Sequence, residues 1–454
     1  MYVSSSNTTA RKFNVVLAAF DTLRFDRVNQ ANMPSIHSLL RDSVFFTNHY
    51  SEAIPTHPSF TTIFTGISPL IHGIVCHAGL AQLRSYEVHT LPQLLNDAGY
   101  LTVATDNLAT RSDVVNAGWF AWGFDYYIDI GGLATISIGV KVNGEVVNTK
   151  VKEALDIINR NRDKPFFLFI HYWDPHTPYM PPRSYVERFY KGDYTEGDLI
   201  NALNSTVWGR SLLKGNWLSD LVKSGVRDLN YVRALYDSEV AYVDEKFSEV
   251  FGLLSSMLDD TAVIITSDHG EGLGEHRVYF DHHSLYEWDV KTPLIIRLPD
   301  KLISEVGRRA KGATYDVLVQ NTDIAPTILD MLNLGKPSVM TGSSLMEVIK
   351  GERGGYDATY SVENTRQTAR MIRTKDWKLI QWIRADVYGR EPGHVELYNL
   401  TKDPSELRNV VSEEQETALR LLGALESRYR RLTGGKDPLT TQEISLPIGE
   451  KAVL

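Results

Sequence analysis

Short apolar runs along the chain end at polar or charged residues, a pattern typical of buried strands in an α/β sheet. The run that begins at Asn14 ends at Asp21, and the run that begins at Ala262 leads to Asp268 and His269. Further runs of this kind lie at 101–107, 164–179 and 293–299. Because parallel strands end at one edge of a sheet, the pattern predicts that acids and imidazoles meet at that edge.

Apolar residues at helical spacing separate these runs. Helices are predicted at 33–40, from Thr56 onward, and at 91–100, 231–254, 317–332 and 413–432, with an aromatic-rich insertion at 183–227. After turn signals near Gly355, short strands are predicted at 370–373, 377–382 and 396–400. The order of elements predicts an α/β domain over 1–355 and a smaller α+β domain over 356–454.

Thr56 stands where a loop leads into a predicted helix, with Pro58 in its first turn and Phe60 and Phe64 at helical spacing. The first N–H groups of a helix have no intrahelical partners, so an anionic ester can dock there against the threonine hydroxyl. This makes Thr56 a candidate nucleophile. Threonine is also an ordinary N-cap residue, and that alternative stays open.

Four side chains from the predicted strand and helix ends form an oxygen-rich set for one divalent ion. The predicted ligands are Asp21, Thr56, Asp268 and His269. Carboxylate and hydroxyl oxygens suit Mg²⁺, Ca²⁺ or Mn²⁺, and the imidazole extends the choice to Zn²⁺. Each acid taken alone is also compatible with a cap or a turn.

The composition narrows the classes of partner and the compartment. The 454 residues carry a formal net charge of -9, which argues against a nucleic-acid partner and an anionic membrane surface. The single cysteine, Cys76, excludes an intrachain disulfide, and the segment 1–12 has no apolar stretch after a basic start. We therefore expect a cytoplasmic protein whose partner is a small anionic ester, and homo-oligomerisation remains open.

The ordered motifs resemble those of the sulfatase branch of the alkaline phosphatase superfamily. The matching segments are the strand ending at Asp21, 56–60 with 65–66 and 72–73, 267–271, and 396–400 with 403–404. The resemblance covers nearly the whole chain. It implies a large mixed β-sheet sandwiched by helices and a small C-terminal domain with an antiparallel sheet.

The resemblance also implies roles for residues outside the metal set. His176 corresponds to a substrate-facing histidine, and His282 and His283 stand where the family meets the leaving-group oxygen, with a slight preference for His283. Asn107 lies where sulfatases hold the sulfate with a lysine and a histidine, and it is either a hydrogen-bond donor to substrate or a loop cap. A less favoured two-metal alternative would use Asp174, His176 and His283.

One departure from the family pattern decides the expected chemistry. Thr56 stands at the position of the sulfatase cysteine that is oxidised to formylglycine, and Phe60 at that of the arginine. Oxidised threonine would be a ketone, so formylglycine chemistry is not expected. Thr56 at this position resembles the threonine with which nucleotide pyrophosphatase/phosphodiesterase relatives attack phosphorus. This resemblance implies a soluble hydrolase of phosphodiesters, phosphonate monoesters or phosphate monoesters in which Thr56 attacks phosphorus. The alternatives are a sulfuric ester hydrolase that uses Thr56 directly and a catalytically silent anion-binding protein.

Overall fold

The computed structural model describes residues 11, 13–77, 83, 88–110, 117–131 and 141–441. Within them the strands are β1 Asn14–Phe20, β2 Val44–Tyr50, β3 Ala53–Ile54, β4 Leu101–Asp106, β5 Tyr126–Asp129, β6 Phe166–Tyr172, β7 Thr261–Ser267, β8 Gly272–Leu273, β9 Tyr279–Asp281, β10 Lys291–Arg297, β11 Thr314–Gln320, β12 Ala358–Glu363, β13 Thr368–Thr374, β14 Trp377–Arg384 and β15 Val395–Asn399. Apart from Arg11, the N-terminal segment 1–12 lies outside the described residues.

The helices alternate with strands through the first part of the chain, as the sequence pattern predicts. They are α1 Pro34–Leu39, α2 Thr56–Thr65, α3 Pro69–His72, α4 Leu91–Asp97, α5 Gly144–Arg160, α6 Arg183–Phe189, α7 Leu199–Asn204, α8 Val207–Leu212, α9 Trp217–Lys223, α10 Leu229–Leu253, α11 Glu287–Val290, α12 Asp300–Val306, α13 Ile324–Met331, α14 Met346–Lys350, α15 Gln415–Thr433 and α16 Pro438–Thr441. Among the described residues, no helix is both long and apolar enough to cross a membrane.

The large sheet has the strand order β11-β2-β10-β7-β1-β6-β4-β5. Its centre is parallel: β1 pairs with β6 on one side and β7 on the other, with Phe20 in register with both Tyr172 and Ser267. Strand β10 runs antiparallel to both β2 and β7, so the sheet is mixed. Because β1 and β7 end at the same level, Asp21 and Asp268 leave the sheet side by side.

The second sheet has the order β15-β14-β13-β12-β3 and is antiparallel except where β3 joins it in parallel with β12. Apolar residues of α15, among them Leu421 and Leu425, pack in one buried cluster with Leu379 and Leu397 of the sheet. These observations confirm the predicted mixed sheet with helices and the smaller antiparallel-sheet domain. The boundary near Gly355 stays a prediction.

The predicted helix over 317–332 is wrong in its first part. Residues up to Gln320 belong to β11, where Val319 is fully buried at the edge of the large sheet, and the helix α13 begins only at Ile324. A short apolar run fits a buried strand and a helix equally well, and pairing with β2 decides between them. The insertion at 183–227 folds as the four short helices α6 to α9.

Candidate active site

Asp21, Asp268 and His269 meet at the carboxyl ends of β1 and β7, and each of them is 0% exposed. One ligand atom from each of the three lies within 4.8 Å of the others. His269 Nε2 is 3.2 Å from Asp268 Oδ2 and 3.9 Å from Asp21 Oδ1. The structure therefore brings together the three ligands predicted from the strand ends.

Thr56 is the first residue of α2 and only 2% of it is exposed. Its hydroxyl Oγ1 lies 3.4 Å from Asp21 Oδ2 and 3.2 Å from His269 Nε2. Since the free N–H groups of the helix start lie beside this hydroxyl, the position combines a nucleophile with a local positive potential. The fourth predicted member of the set thus lies against the other three.

The hydrogen bonds in this cluster leave lone pairs where a cation would bind. His269 Nδ1 is 2.9 Å from the carbonyl oxygen of Gly270, which only accepts, so Nδ1 carries a proton and Nε2 is the nitrogen that faces Thr56 and Asp268. Within the described residues, Asp21 Oδ1 and Asp268 Oδ2 are buried and have no hydrogen-bond partner. Buried carboxylate oxygens are rarely left unpaired, so these donors fit a divalent ion.

The two carboxylates differ in their electrostatics. Burial and the negative charge of Asp21 raise the pKa of Asp268 to about 6. Burial opposes ionisation of Asp21 as well, but the electrostatic attraction of His176 and a hydrogen bond from His171 outweigh it and hold the pKa of Asp21 well below its usual range. Two adjacent buried acids that would repel each other are stable together when a cation lies between them.

Histidines 176, 282 and 283 all lie close to the cluster. The ring of His282 stacks on that of His269 with centroids 4.5 Å apart, and the ring of His176 is 5.0 Å from His282. His176 donates Nδ1–H to the carbonyl oxygen of Thr177 at 2.6 Å, and Nε2 is the ring nitrogen that this bond does not engage. The ring of His283 lies 4.9 Å from that of His282. The structure places His282 against the predicted metal ligands and His283 one step further away.

Two other predicted residues are engaged elsewhere. Asn107 is 2% exposed, and its Oδ1 accepts a hydrogen bond of 2.9 Å from Trp173 Nε1, which favours the loop-supporting alternative over substrate contact. Asp174 accepts 2.6 Å from the backbone N–H of Gly144 and pairs with Lys141 Nζ at 2.7 Å. The carboxylate of Asp174 is therefore paired with a lysine, and within the described residues it belongs to neither group of converging ligand atoms, which argues against the alternative metal set built on it.

His171, whose role the sequence leaves undecided, lies at the site together with its partner Asp106. His171 Nδ1 is 2.7 Å from Asp106 Oδ1, and its Nε2 lies 3.6 Å from Asp21 Oδ2. Burial alone would make the ring neutral, but the two carboxylates raise the pKa of His171 to about 9. A histidine inside the apolar strand β6 was the available signal, because such a residue must point to a polar partner.

The second sheet also reaches the site. Glu363, the last residue of β12, is 3.0 Å from His283 Nδ1, and Arg366 Nε is 3.0 Å from Asp281 Oδ2. The Gln367 amide also donates 2.8 Å to the backbone oxygen of His283. The turn between β12 and β13 thus holds the segment that carries the paired histidines.

Comparison with known proteins agrees with this arrangement. The sulfatase family matches residues 14–334, and the C-terminal family of N-sulphoglucosamine sulphohydrolase matches residues 274–432. An arylsulfatase of Clostridium perfringens is 24% identical over 461 residues, which cover 89% of this chain and 91% of the relative.

Two solved structures share the fold. The phosphonate monoester hydrolase of Agrobacterium radiobacter has a TM-score of 0.70 at 19% identity, covering 92% of this chain and 96% of its own. A second structure, solved in complex with its substrate D-glucosamine-2-N,6-O-disulfate, has a TM-score of 0.69 at 21% identity and covers 95% of this chain and 100% of its own. With a family match over most of its length, the chain belongs to the sulfatase family and is a hydrolase of anionic esters.

Proposed function

We propose that the chain is a metal-dependent hydrolase of phosphorus esters that carry a single negative charge, such as phosphodiesters and phosphonate monoesters. Thr56 is its nucleophile. The supporting observation is the convergence of Thr56 Oγ1 on Asp21 and His269 at 3.4 and 3.2 Å among buried residues. A divalent ion held by Asp21, Asp268 and His269 would make ionisation of the hydroxyl easier and weaken its repulsion from an anionic ester.

The reaction proceeds in two displacements at phosphorus. Thr56 Oγ1 forms a bond to phosphorus while the bond to the leaving-group oxygen breaks, which gives a phosphoryl-threonine. Water then attacks the same phosphorus and releases Thr56. The proton that Thr56 loses in the first displacement goes to the leaving alkoxide, and in the second a proton of the attacking water goes to the threonine oxygen. His176 and His282 lie beside this cluster and are placed to donate hydrogen bonds to the phosphoryl oxygens or the leaving group.

The charge around the site favours a singly charged ester. The resemblance implies a lysine and a histidine that hold the sulfate in the neighbourhood where this chain has Asp106 and Asn107, and the Asp106 carboxylate holds His171. Burial and neighbouring positive groups keep the pKa of both His282 and His283 well below the ordinary value, so these rings are neutral at pH 7. Neutral donors compensate a monoanion better than a dianion, which disfavours phosphate monoesters.

A sulfuric ester hydrolase is the second candidate, because the arylsulfatase relative aligns over most of both chains. Sulfate monoesters also carry one negative charge, so the electrostatic argument does not separate them from phosphodiesters. Threonine favours phosphorus, since it has no aldehyde hydrate with which to expel a sulfate by elimination. Turnover of p-nitrophenyl sulfate beside bis-p-nitrophenyl phosphate and a phenylphosphonate monoester decides between the two.

The test of the nucleophile is a hydroxyl series at position 56. Thr56→Val preserves the shape of the side chain and removes the hydroxyl, so kcat/KM is expected to fall by roughly 10³-fold or more, whereas Thr56→Ser retains a hydroxyl and part of the activity. Thr61→Val is the matched control, because within the described residues the hydroxyl of Thr61 donates to the carbonyl of His57 in the same helix and to no group of the site. Undiminished turnover by Thr56→Val removes Thr56 from the mechanism. A purified chain that binds the ion but hydrolyses none of the three esters would support the anion-binding alternative.

A further inference from the structure

A second group of possible metal ligands lies next to the first. Asp281, His282 and His283 follow one another at the end of β9, all three are buried, and one ligand atom from each lies within 4.8 Å of the others. The ring of His282 stacks on that of His269, so the two groups share a wall. Two imidazoles and a carboxylate are a ligand set typical of Zn²⁺ and Mn²⁺.

His283 is held in the orientation of a metal ligand. Glu363 accepts backbone N–H bonds from Thr365 at 2.6 Å and from Gln367 at 3.0 Å, so it is a hydrogen-bond acceptor and Nδ1 of His283 donates to it. This leaves the lone pair on Nε2, which lies 3.9 Å from Asp281 Oδ1. A carboxylate that fixes the far nitrogen of an imidazole is the common support of a metal-binding histidine.

Glu271 supplies the independent observation that points to a cation. Its side chain is 0% exposed, and within the described residues the buried Tyr179 hydroxyl is the hydrogen-bonding neighbour of its carboxylate. Within the same residues His282 Nδ1 is buried without a hydrogen bond, and it lies 3.4 Å from Glu271 Oε1. A buried carboxylate with one hydroxyl neighbour, facing an unpaired imidazole nitrogen, is stabilised when a cation binds between the two.

Asp281 also bonds to two side chains outside the proposed ligand group, Tyr388 and Arg366. Its Oδ2 accepts from Tyr388 at 2.5 Å and lies 3.0 Å from Arg366 Nε. Arg366 Nε also lies 3.3 Å from Oδ1, which is the oxygen 3.9 Å from His283 Nε2. Oδ1 is therefore the oxygen that is oriented toward the imidazole. The guanidinium of Arg366 neutralises part of the charge of Asp281 but does not contact Glu271 among the interactions of the described residues.

We propose that Asp281, His282 and His283, with Glu271 as an additional ligand, form a second divalent-cation site of the Zn²⁺ or Mn²⁺ class. This second site is distinct from the site formed by Asp21, Asp268 and His269. Its ligands also differ from the set around Asp174 that the sequence suggested for a second metal. Ion binding here does not depend on the proposed function, because it is measured without any ester.

The experiment is metal content and affinity of the full chain with Zn²⁺ and with Mn²⁺, measured by equilibrium dialysis and mass-spectrometric metal analysis. We expect two ions per wild-type chain, and one ion in Asp281→Asn and in His283→Gln. Glu363→Gln keeps the site but weakens its affinity by roughly 10- to 100-fold, because only the support of His283 changes. His276→Gln is the matched control, since its ring stacks on Tyr286 outside the cluster, and it should retain two ions.

The position of the second ion is tested in the wild-type protein, so the result does not depend on how the variants fold. Anomalous diffraction from a Zn²⁺-loaded crystal should show one peak at Asp268 and a second within about 2.0–2.3 Å of the His283 nitrogen. The proposal is overturned if the wild-type chain binds a single ion with Zn²⁺ and also with Mn²⁺, or if the second anomalous peak lies away from His283. Two ions with no hydrolysis by the wild-type chain would support this site while refuting the proposed function, and Thr56→Val should lose activity but keep the second ion.

Discussion

Asp268→Asn should have opposite effects on stability in the metal-free and the metal-loaded protein. Asp268 Oδ1 accepts the backbone N–H groups of Thr22 at 3.2 Å and of His269 at 2.9 Å, and an asparagine oxygen can retain both bonds. The new amide nitrogen would take the place of Oδ2, which lies 3.2 Å from His269 Nε2. The amide could therefore donate a hydrogen bond to that nitrogen. The substitution therefore preserves the local bonds and removes one charge from a repelling pair.

The magnitude follows from the pKa of Asp268. A folded-state pKa of about 6 against an ordinary value of 3.8 means that ionised Asp268 costs the metal-free fold ~3 kcal/mol above pH 6. Because the folded-state pKa is raised, this cost is absent below the ordinary pKa of 3.8, grows between pH 3.8 and 6, and is complete above pH 6. At pH 5 it is about half as large. An ion at a hundred times its Kd stabilises the wild-type fold by ~2.7 kcal/mol, and the variant loses this gain.

The assay is urea unfolding of wild type and Asp268→Asn at pH 8 and pH 5, in EDTA and in excess divalent ion. In EDTA at pH 8 the variant should be the more stable protein, and its advantage should shrink at pH 5. With the ion present, the wild type should regain its stability and the variant should not respond. A variant that is less stable than wild type in EDTA at pH 8 would refute the electrostatic reasoning, and an equal response of both proteins to the ion would refute the ligand assignment.

Three further changes test the surroundings of the site. Asp106→Asn should lower kcat for aryl esters by roughly 10- to 100-fold, because the cationic form of His171 loses its charged partner. Phe60→Ala should lower the free energy of unfolding by ~3–5 kcal/mol, since the ring is fully buried and meets His171 edge-on at 4.8 Å. Burial lowers the pKa of His49 to about 3, so its contribution to stability is complete above pH 6.5 and should fall by ~2 kcal/mol between pH 7 and 5, a loss that is absent in His49→Leu.

Each of these changes has a control and a contradicting result. Asp129→Asn, at the register partner of Asp106 on β5, should leave kcat unchanged, and an equal loss there would make the Asp106 effect non-specific. Phe60→Leu should cost less than Phe60→Ala in urea unfolding; equal losses would argue against a cavity. His37 is partly exposed on α1, so the free energy of unfolding of His37→Leu should fall between pH 7 and 5 by as much as that of the wild type. If His49→Leu also loses as much stability as the wild type, the acid sensitivity belongs to other groups.

The sequence was sufficient to predict the centre of the site because the relevant residues follow regular elements. Asp21 and Asp268 come directly after buried runs, and the parallel pairing of β1 with β7 brings them together without further information. Thr56 was predictable from the start of its helix. The roles of the paired histidines came from resemblance alone, and they stay predictions, as do the boundary near Gly355 and the cytoplasmic location.

The rest of the site depends on contacts that leave no local trace in the sequence. Glu363 is distant in the chain from His283, and only the packing of the second sheet brings the two within 3.0 Å. Glu271 looks like an ordinary loop acid until its complete burial is known. Likewise, the role of Asp174 is decided by Lys141, a partner that no motif indicates.

Strand β3 ends two residues before Thr56 and is at the same time the edge of the small sheet, with Ile54 in register with Glu363 of β12. A single strand of the C-terminal part therefore sets the position of both the threonine and the histidine pair. Replacing the C-terminal part by that of a relative would therefore move both Thr56 and the histidine pair. Chimaeras should function only when the β12 segment and the 53–56 stretch are inherited from the same parent.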